Sequence, residues 1–317
     1  MKNLDEKYMI QALELARLGG RAVAPNPMVG AVIVKDGKII GKGYHQKFGG
    51  PHAEVLAIQS VKRKADLEGS TMYVTMTPCR HFGKTPPCQD FVEVMGISRI
   101  VVGMKDPFRR SVGSSQPLVQ CEYLKGEVAD ECKWLNKFFF KWVESKRPYV
   151  TVKIAMSADG FVARVGSKSV RFTTKKQDAE IHQLRAQHQA IMVGINTVLN
   201  DNPQLTVRLA KGEDPLRVIL DSRFSILDSS QVFKDENYLI ATCRKGAYRG
   251  LNVWVSPTKK QVSLKKLFHH LAQQGISSVL VEPGPILYQS LKKQGLIDEL
   301  AIYVGKKKLG KGLKIGL

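Results

Sequence analysis

His52-Ala53-Glu54, followed by Pro78-Cys79 and then Pro87-Cys88, is the stretch whose reading decides the first half of the chain. One imidazole and two thiols suit a tetrahedral zinc whose fourth position stays open for water. Glu54, two residues past the histidine, then reads as a base rather than a ligand. It would take a proton from that water and return it to a leaving group. A lone His or Cys is more often plain core, but each of these three stands where a helix starts or a strand ends.

Working outward, Pro51 precedes an apolar run that predicts a helix with proline near its first turn. A strand is predicted over 71–76, a second helix starting at Pro87-Cys88, and another strand over 99–104. His52 and Cys88 are thereby expected at helix N-termini, where the helix dipole favours a thiolate. Upstream, apolar spacing predicts a helix over 4–18, stopped by Gly19-Gly20. The stiff loop Ala24-Pro25-Asn26-Pro27 follows, then strands over 29–34 and 39–44 joined by Asp36-Gly37. Asn26 either caps a turn or hydrogen-bonds a ligand over the sheet edge. His45 and His81 fall on loops expected to converge on the metal. Trp134, Leu135, Phe138, Phe139 and Trp142 give one helix over 128–143, read as core or as a domain seam.

Residues 144–148 break that pattern, so domains are expected at 1–146 and 147–317. The second half starts with a Val/Ile-rich strand over 149–156, a helix over 174–188, and buried-type strands over 190–193, 216–220 and 278–281. A helix follows over 286–294. Strands alternating with helices predict a largely parallel sheet, with ligands beyond its carboxyl ends.

The 317 residues are 43% apolar and 24% charged, which suits two soluble domains. Five cysteines without repeating spacing argue against a disulfide framework. The N-terminus lacks a signal-like apolar core and no run approaches a membrane span, so a cytoplasmic enzyme without a membrane partner is expected. The net charge of +21 raises nucleic acid as a partner. Yet the lysines are scattered apart from Lys306-Lys307-Lys308 with Lys311 and Lys314, which favours phosphate-bearing small ligands and no nucleic acid. Oligomeric state is not readable, although the aromatic helix near Trp134 could serve a homo-oligomer.

Together the quoted motifs resemble one family. These are Asn26-Pro27-x-Val29-Gly30, His52-Ala53-Glu54, Pro78-Cys79 to Pro87-Cys88 with His81 and Lys84 between, Lys153 with Ser157-x-Asp159-Gly160, Leu184-Arg185-Ala186, and Asp201-x-Pro203-x-Leu205-Thr206-Val207-Arg208. The family is the bifunctional riboflavin-biosynthesis deaminase/reductase. The resemblance implies an α/β chain, a zinc cytidine-deaminase-like αβα domain followed by a dihydrofolate-reductase-like α/β domain. It implies one Zn2+ held by His52, Cys79 and Cys88, with Glu54 catalytic, and NADPH in the second domain. The substrates would be phosphorylated pyrimidines. Asn26, His45, His81, Lys84, Ser169, Arg185, Leu205, Arg208 and Glu282 fall at substrate positions. Ala155, Arg171, Thr197, Asp201, Ser222 and Gly284 fall at cofactor positions.

The chain departs from the family pattern at Thr77, where a Glu is usual, at Arg80, at Arg171 in place of a Trp, and at Pro283, which supplies no N–H. It also ends before the family's usual last strand. These departures make the reductase half the less secure one and keep a ligand-sensing homologue as a rival. A tRNA-type deaminase is the other rival, disfavoured by the nine-residue step from Cys79 to Cys88 where such enzymes carry C-x-x-C.

Overall fold

A buried apolar run and an Asp36-Gly37 turn make the first hairpin, β1 (Gly30–Lys35) and β2 (Lys38–Tyr44), antiparallel from Gly30↔Tyr44 to Lys35↔Lys38 with a register shift between Ile33 and Val34. The computed structural model describes residues 4–79, 88–108, 119–164 and 170–316. These divide into two units, Met1–Glu144 and Ser145–Leu317, each with cores of its own.

In the first unit, α1 (Leu4–Arg17) precedes the hairpin, and α2 (Ala53–Ser60), β3 (Thr71–Met76), α3 (Cys88–Val94), β4 (Arg99–Met104), β5 (Cys121–Tyr123), α4 (Glu127–Leu135) and α5 (Lys137–Ser145) follow. The strands form one sheet in the order β2-β1-β3-β4-β5, with β3, β4 and β5 parallel. Two cores lie on its faces. One joins Met9 and Leu13 of α1 to Val32, Tyr73 and Val101, and the other joins Ala57 and Ile58 of α2 to Ile33, Met72 and Ile100.

The single helix expected over 128–143 is two helices broken at Asn136. Asn136 is buried, its Oδ1 accepts from Met28 N–H at 2.7 Å and its Nδ2 donates to Met28 C=O at 2.9 Å. A side chain committed to both polar groups of another residue's backbone makes a helix break cheaper than a regular turn.

The second unit runs β6 (Tyr149–Met156), α6 (Lys175–Gln187), β7 (Ala190–Gly194), α7 (Ile195–Asp201), β8 (Leu216–Leu220), β9 (Tyr238–Thr242), β10 (Val253–Val255), α8 (Leu264–Gln273), β11 (Ser278–Val281), α9 (Pro285–Lys293) and β12 (Glu299–Val304). Its sheet is parallel throughout the described residues, in the order β10-β9-β8-β7-β11-β6-β12. Parallel strands buried on both faces explain the apolar runs of β7 and β11, and in β8 the run Val218-Ile219-Leu220 follows Arg217, whose buried guanidinium donates to Val232 C=O and pairs with Asp235. Thr174 caps α6 with a reciprocal pair of bonds to Gln177, so the expected start of that helix is one residue early. No described helix is long and apolar enough to cross a membrane.

Candidate active sites

The close packing of α2 on β2 positions the first site. A methyl group on Gly43 would sit 2.3 Å from Ala57 N and 2.5 Å from Ala53 O, so only glycine lets the helix lie this near the strand. His52 is the N-cap of α2 in extended conformation and Glu54 lies in its first turn. Cys79 follows the end of β3 and Cys88 opens α3.

These elements bring His52, Cys79 and Cys88 together, with donor atoms all within 4.8 Å of one another. His52 Nδ1 stands 3.1 Å from Cys88 Sγ and 3.6 Å from Cys79 Sγ, and Cys88 N–H donates to Cys79 Sγ at 3.3 Å. Zinc bonds of about 2.1 Å to nitrogen and about 2.3 Å to sulfur imply N···S edges of roughly 3.5 Å in a tetrahedron, so the donor set fits that ion. A hydrogen bond from Cys88 holds the Cys79 thiol down at about 4, while the same bond and burial push Cys88 up. His52 is raised, first by its bond to Cys79.

Glu54 is 3% exposed. Burial pushes its carboxyl up to about 7, against the lowering effects of a backbone hydrogen bond and of His52. It lines a cavity of about 230 Å³ together with Asn26, His45, His52, Cys79 and Phe48. The His45 ring is buried edge-on to His52, its Nδ1 2.9 Å from Pro51 C=O and its Nε2 3.2 Å from Asn26 Nδ2. A carbonyl can only accept, so Nδ1 carries the hydrogen and Nε2 accepts from the Asn26 amide. Burial holds His45 below its ordinary value, which keeps it neutral. Asn26 Oδ1 therefore remains an acceptor for a ligand N–H.

Thr77 stands beside the trio, and its hydroxyl donates to Met104 C=O and accepts from Asp106 N–H, both at 3.3 Å. It ties the end of β3 to the end of β4 without a carboxylate. His81, Lys84, Ser169 and Arg80 lie outside the described residues.

In the second unit the order β8-β7-β11-β6 lines up four carboxyl ends. Just beyond them, or near them, come Ser222, Thr197, Glu282 with Gly284, and Ala155. Glu282 forms ion pairs with Lys153 at 3.1 Å and Arg185 at 2.8 Å, all three being mostly buried. Burial alone would raise Glu282, but the two cations outweigh it and hold the carboxyl at about 2. Two positive charges against one negative leave the cluster cationic. Arg185 also donates to Thr206 C=O, and Arg208 to Thr206 Oγ1 at 2.7 Å. His182 accepts from Arg208 N–H at 2.9 Å, and burial with the two arginine charges holds it down at about 4, neutral.

Three expected positions look different in the structure. The Leu205 side chain is buried in the core at a φ of +56°, so it offers a ligand only its backbone. Arg171 is exposed and paired with Asp178. Ser222 Oγ accepts from Val262 N–H at 3.1 Å. Asp201 closes α7 and Gly284 caps α9, with Pro285 as its first residue. Lys153, quoted among the motifs but given no role, gains one from its pairing with Glu282, and Phe48, whose signal was its place directly before Gly49-Gly50-Pro51-His52, was not among the expected site residues.

Comparison with known proteins bears on both units. Residues 2–104 match the cytidine and deoxycytidylate deaminase zinc-binding region, and residues 148–315 match the RibD C-terminal domain. The riboflavin biosynthesis protein RibD of Aquifex aeolicus is 37% identical, over 100% of this chain and 91% of its own length. That of Escherichia coli is 36% identical, over 96% and 89%. The solved diaminohydroxyphosphoribosylaminopyrimidine deaminase/5-amino-6-(5-phosphoribosylamino)uracil reductase of Thermotoga maritima superposes with a TM-score of 0.87 at 37% identity, covering 98% of this chain and 89% of that one. Acinetobacter baumannii RibD does so at 0.87 and 33%, with the same coverage. A zinc-type donor trio beside a buried carboxylate, a parallel-sheet unit behind it in the chain, and near full-length likeness to both halves in that order have one reading: this chain belongs to the RibD family of bifunctional deaminase/reductases.

Proposed function

We propose that His52, Cys79 and Cys88 hold the zinc of the deaminase half, that Glu54 carries its protons, and that the Lys153–Glu282–Arg185 cluster with Arg208 receives the phosphate-bearing substrate of the reductase half. The enzyme acts in riboflavin biosynthesis, deaminating diaminohydroxyphosphoribosylaminopyrimidine and then reducing the ribosyl group of the aminouracil product to ribityl with NADPH. The observation that carries the residue assignment is the meeting of one imidazole nitrogen and two sulfurs at the edge of a cavity that His52, Cys79 and the buried Glu54 carboxylate line.

When bound, zinc supplies Lewis acidity that brings the pKa of a water to about 7. Glu54, itself poised near 7, takes a proton from water in the cavity and passes it to the departing amine, which leaves as ammonia. Asn26, with its amide N–H groups turned to neutral His45, presents its carbonyl oxygen to a ring N–H and fixes which carbon faces the attack. In the second half NADPH supplies the hydride. The chain's part there is to fix orientation and charge: Arg208 and the outer N–H groups of Arg185 offer donors to phosphate oxygens, and Glu282 pairs with both Lys153 and Arg185 and holds them aligned.

The same reading places the enzyme in the cytoplasm, where a reducing milieu protects a site made of two thiols. Its positive charge serves phosphorylated small molecules rather than a polynucleotide. RNA binding, if measured against salt, would then lack the steep slope of several neutralised phosphates. Metal content, ammonia release from the diaminopyrimidine and NADPH oxidation on the purified chain test the assignment. A zinc-free native protein, or undiminished ammonia release in Glu54→Gln, would overturn it.

A further inference from the structure

We propose that Phe48 is a specificity-determining residue of the deaminase site, its ring forming one face of the slot that takes the pyrimidine; this rests on the deaminase reading above. Phe48 lies on the loop between β2 and α2, in a turn closed by Gly50 N–H to Lys47 C=O at 3.0 Å. Gly49 adopts a φ of +76°, the value that the third position of a type II turn needs, and the Phe48 amide is tethered to Ala22 C=O at 3.0 Å. The backbone under the ring is thus fixed from two sides.

An isolated exposed aromatic is ordinary on a protein surface. Phe48 differs because the residue, 46% exposed, lines the cavity that Glu54, His45 and Asn26 also line. The rest of that wall includes the apolar side chains of Met76, Phe108 and Phe139. Asn26 and Glu54 can read the edge of a heterocycle through hydrogen bonds, but its faces offer only π surface. An aromatic side chain on the cavity wall supplies what such a face needs, and the apolar contact adds to affinity. The contact is made equally with substrate and transition state, so its loss acts on KM and not on kcat.

The experiment measures ammonia release from diaminohydroxyphosphoribosylaminopyrimidine by the full-length zinc enzyme, with zinc content and NADPH-dependent reductase turnover measured on the same preparations. Phe48→Ala should raise KM on the order of 10-fold, the usual size of one base–aromatic stack, with kcat within about twofold. Phe48→Trp should restore KM and Phe48→Leu should not. An unchanged KM in Phe48→Ala, a full rescue by Leu, or a fall in kcat that tracks lost zinc each overturns the assignment. No ammonia from the native enzyme would instead sink the deaminase reading itself.

Discussion

In the proposed chemistry Glu54 combines two demands that pull against each other: it is buried beside the His52–Cys79–Cys88 trio and must still exchange protons near neutrality. Burial meets both, since the desolvated carboxyl sits near 7, where giving and taking a proton are about equally easy. Replacing Glu54 by Gln keeps the shape and removes the proton carrier. Deamination should fall by on the order of 10³-fold, with zinc content unchanged by elemental analysis. Glu282 shows the opposite balance, because two cations hold it ionised to about pH 2. A carboxyl lowered in the folded state contributes stability that is complete above its unfolded value and is lost as pH falls. The window here runs from about 4.5 down to about 2. Glu282→Gln should flatten the acid limb of the unfolding curve in that window. At neutral pH it should destabilise the second unit by about 3–5 kcal/mol, since Lys153 and Arg185 would remain buried without their counter-ion. Most of this was legible in the sequence where chemistry dictates residue type: an imidazole, two thiols and an acid at fixed spacing allow few other readings. Phe48, and the role of Lys153, were harder to see, since a single Phe in a loop or a single Lys in a strand acquires a role only from what the fold sets beside it.

At the scale of elements, apolar periodicity marked α1, the hairpin, β3, β4, β6, β8 and β11 within a residue or two, because each buries a regular face. The sequence left β5, α7, β9, β10, α8 and β12 unassigned. β10 has three residues, too few to show a period, and β12 alternates half-buried with exposed positions at a sheet edge. α8 was readable, with Leu264, Leu267, Phe268 and Leu271 on one face. The break at Asn136 was not, since only its bonds to Met28 reveal it. Close packing of α2 on β2 makes an element-level prediction. A methyl group at Gly43 must push α2 off the strand, and α2 carries both His52 and Glu54. Overpacking of this kind costs about 1–3 kcal/mol. Gly43→Ala should therefore lower the melting temperature of the first unit by on the order of 5 °C. It should also reduce zinc retention in dialysis, while a methyl at solvent-facing Gly284, which meets nothing within 4 Å, should leave the melting of the second unit unchanged.

For the molecule as a whole, the division into Met1–Glu144 and Ser145–Leu317, with separate hydrophobic cores, separates the two chemistries as well. The donor trio ties the N-cap of α2 to the end of β3 and the start of α3, so an ion held there stabilises the first unit by binding only its folded form. The second unit has no such dependence: its cationic cluster is compensated internally by Glu282. Treatment with a strong chelator should abolish ammonia release and leave NADPH oxidation on the aminouracil substrate within about twofold, because catalysis in the second site draws on bound cofactor and side-chain charge alone. In calorimetry the transition of the first unit should shift down on chelation and return with added Zn2+, by about 4 kcal/mol of stability at a free ion concentration 1,000 times the dissociation constant. The transition of the second unit should stay in place. A common shift of both transitions would mean that the two cores unfold as one cooperative body, and that zinc supports the reductase through folding even though it takes no part in hydride transfer.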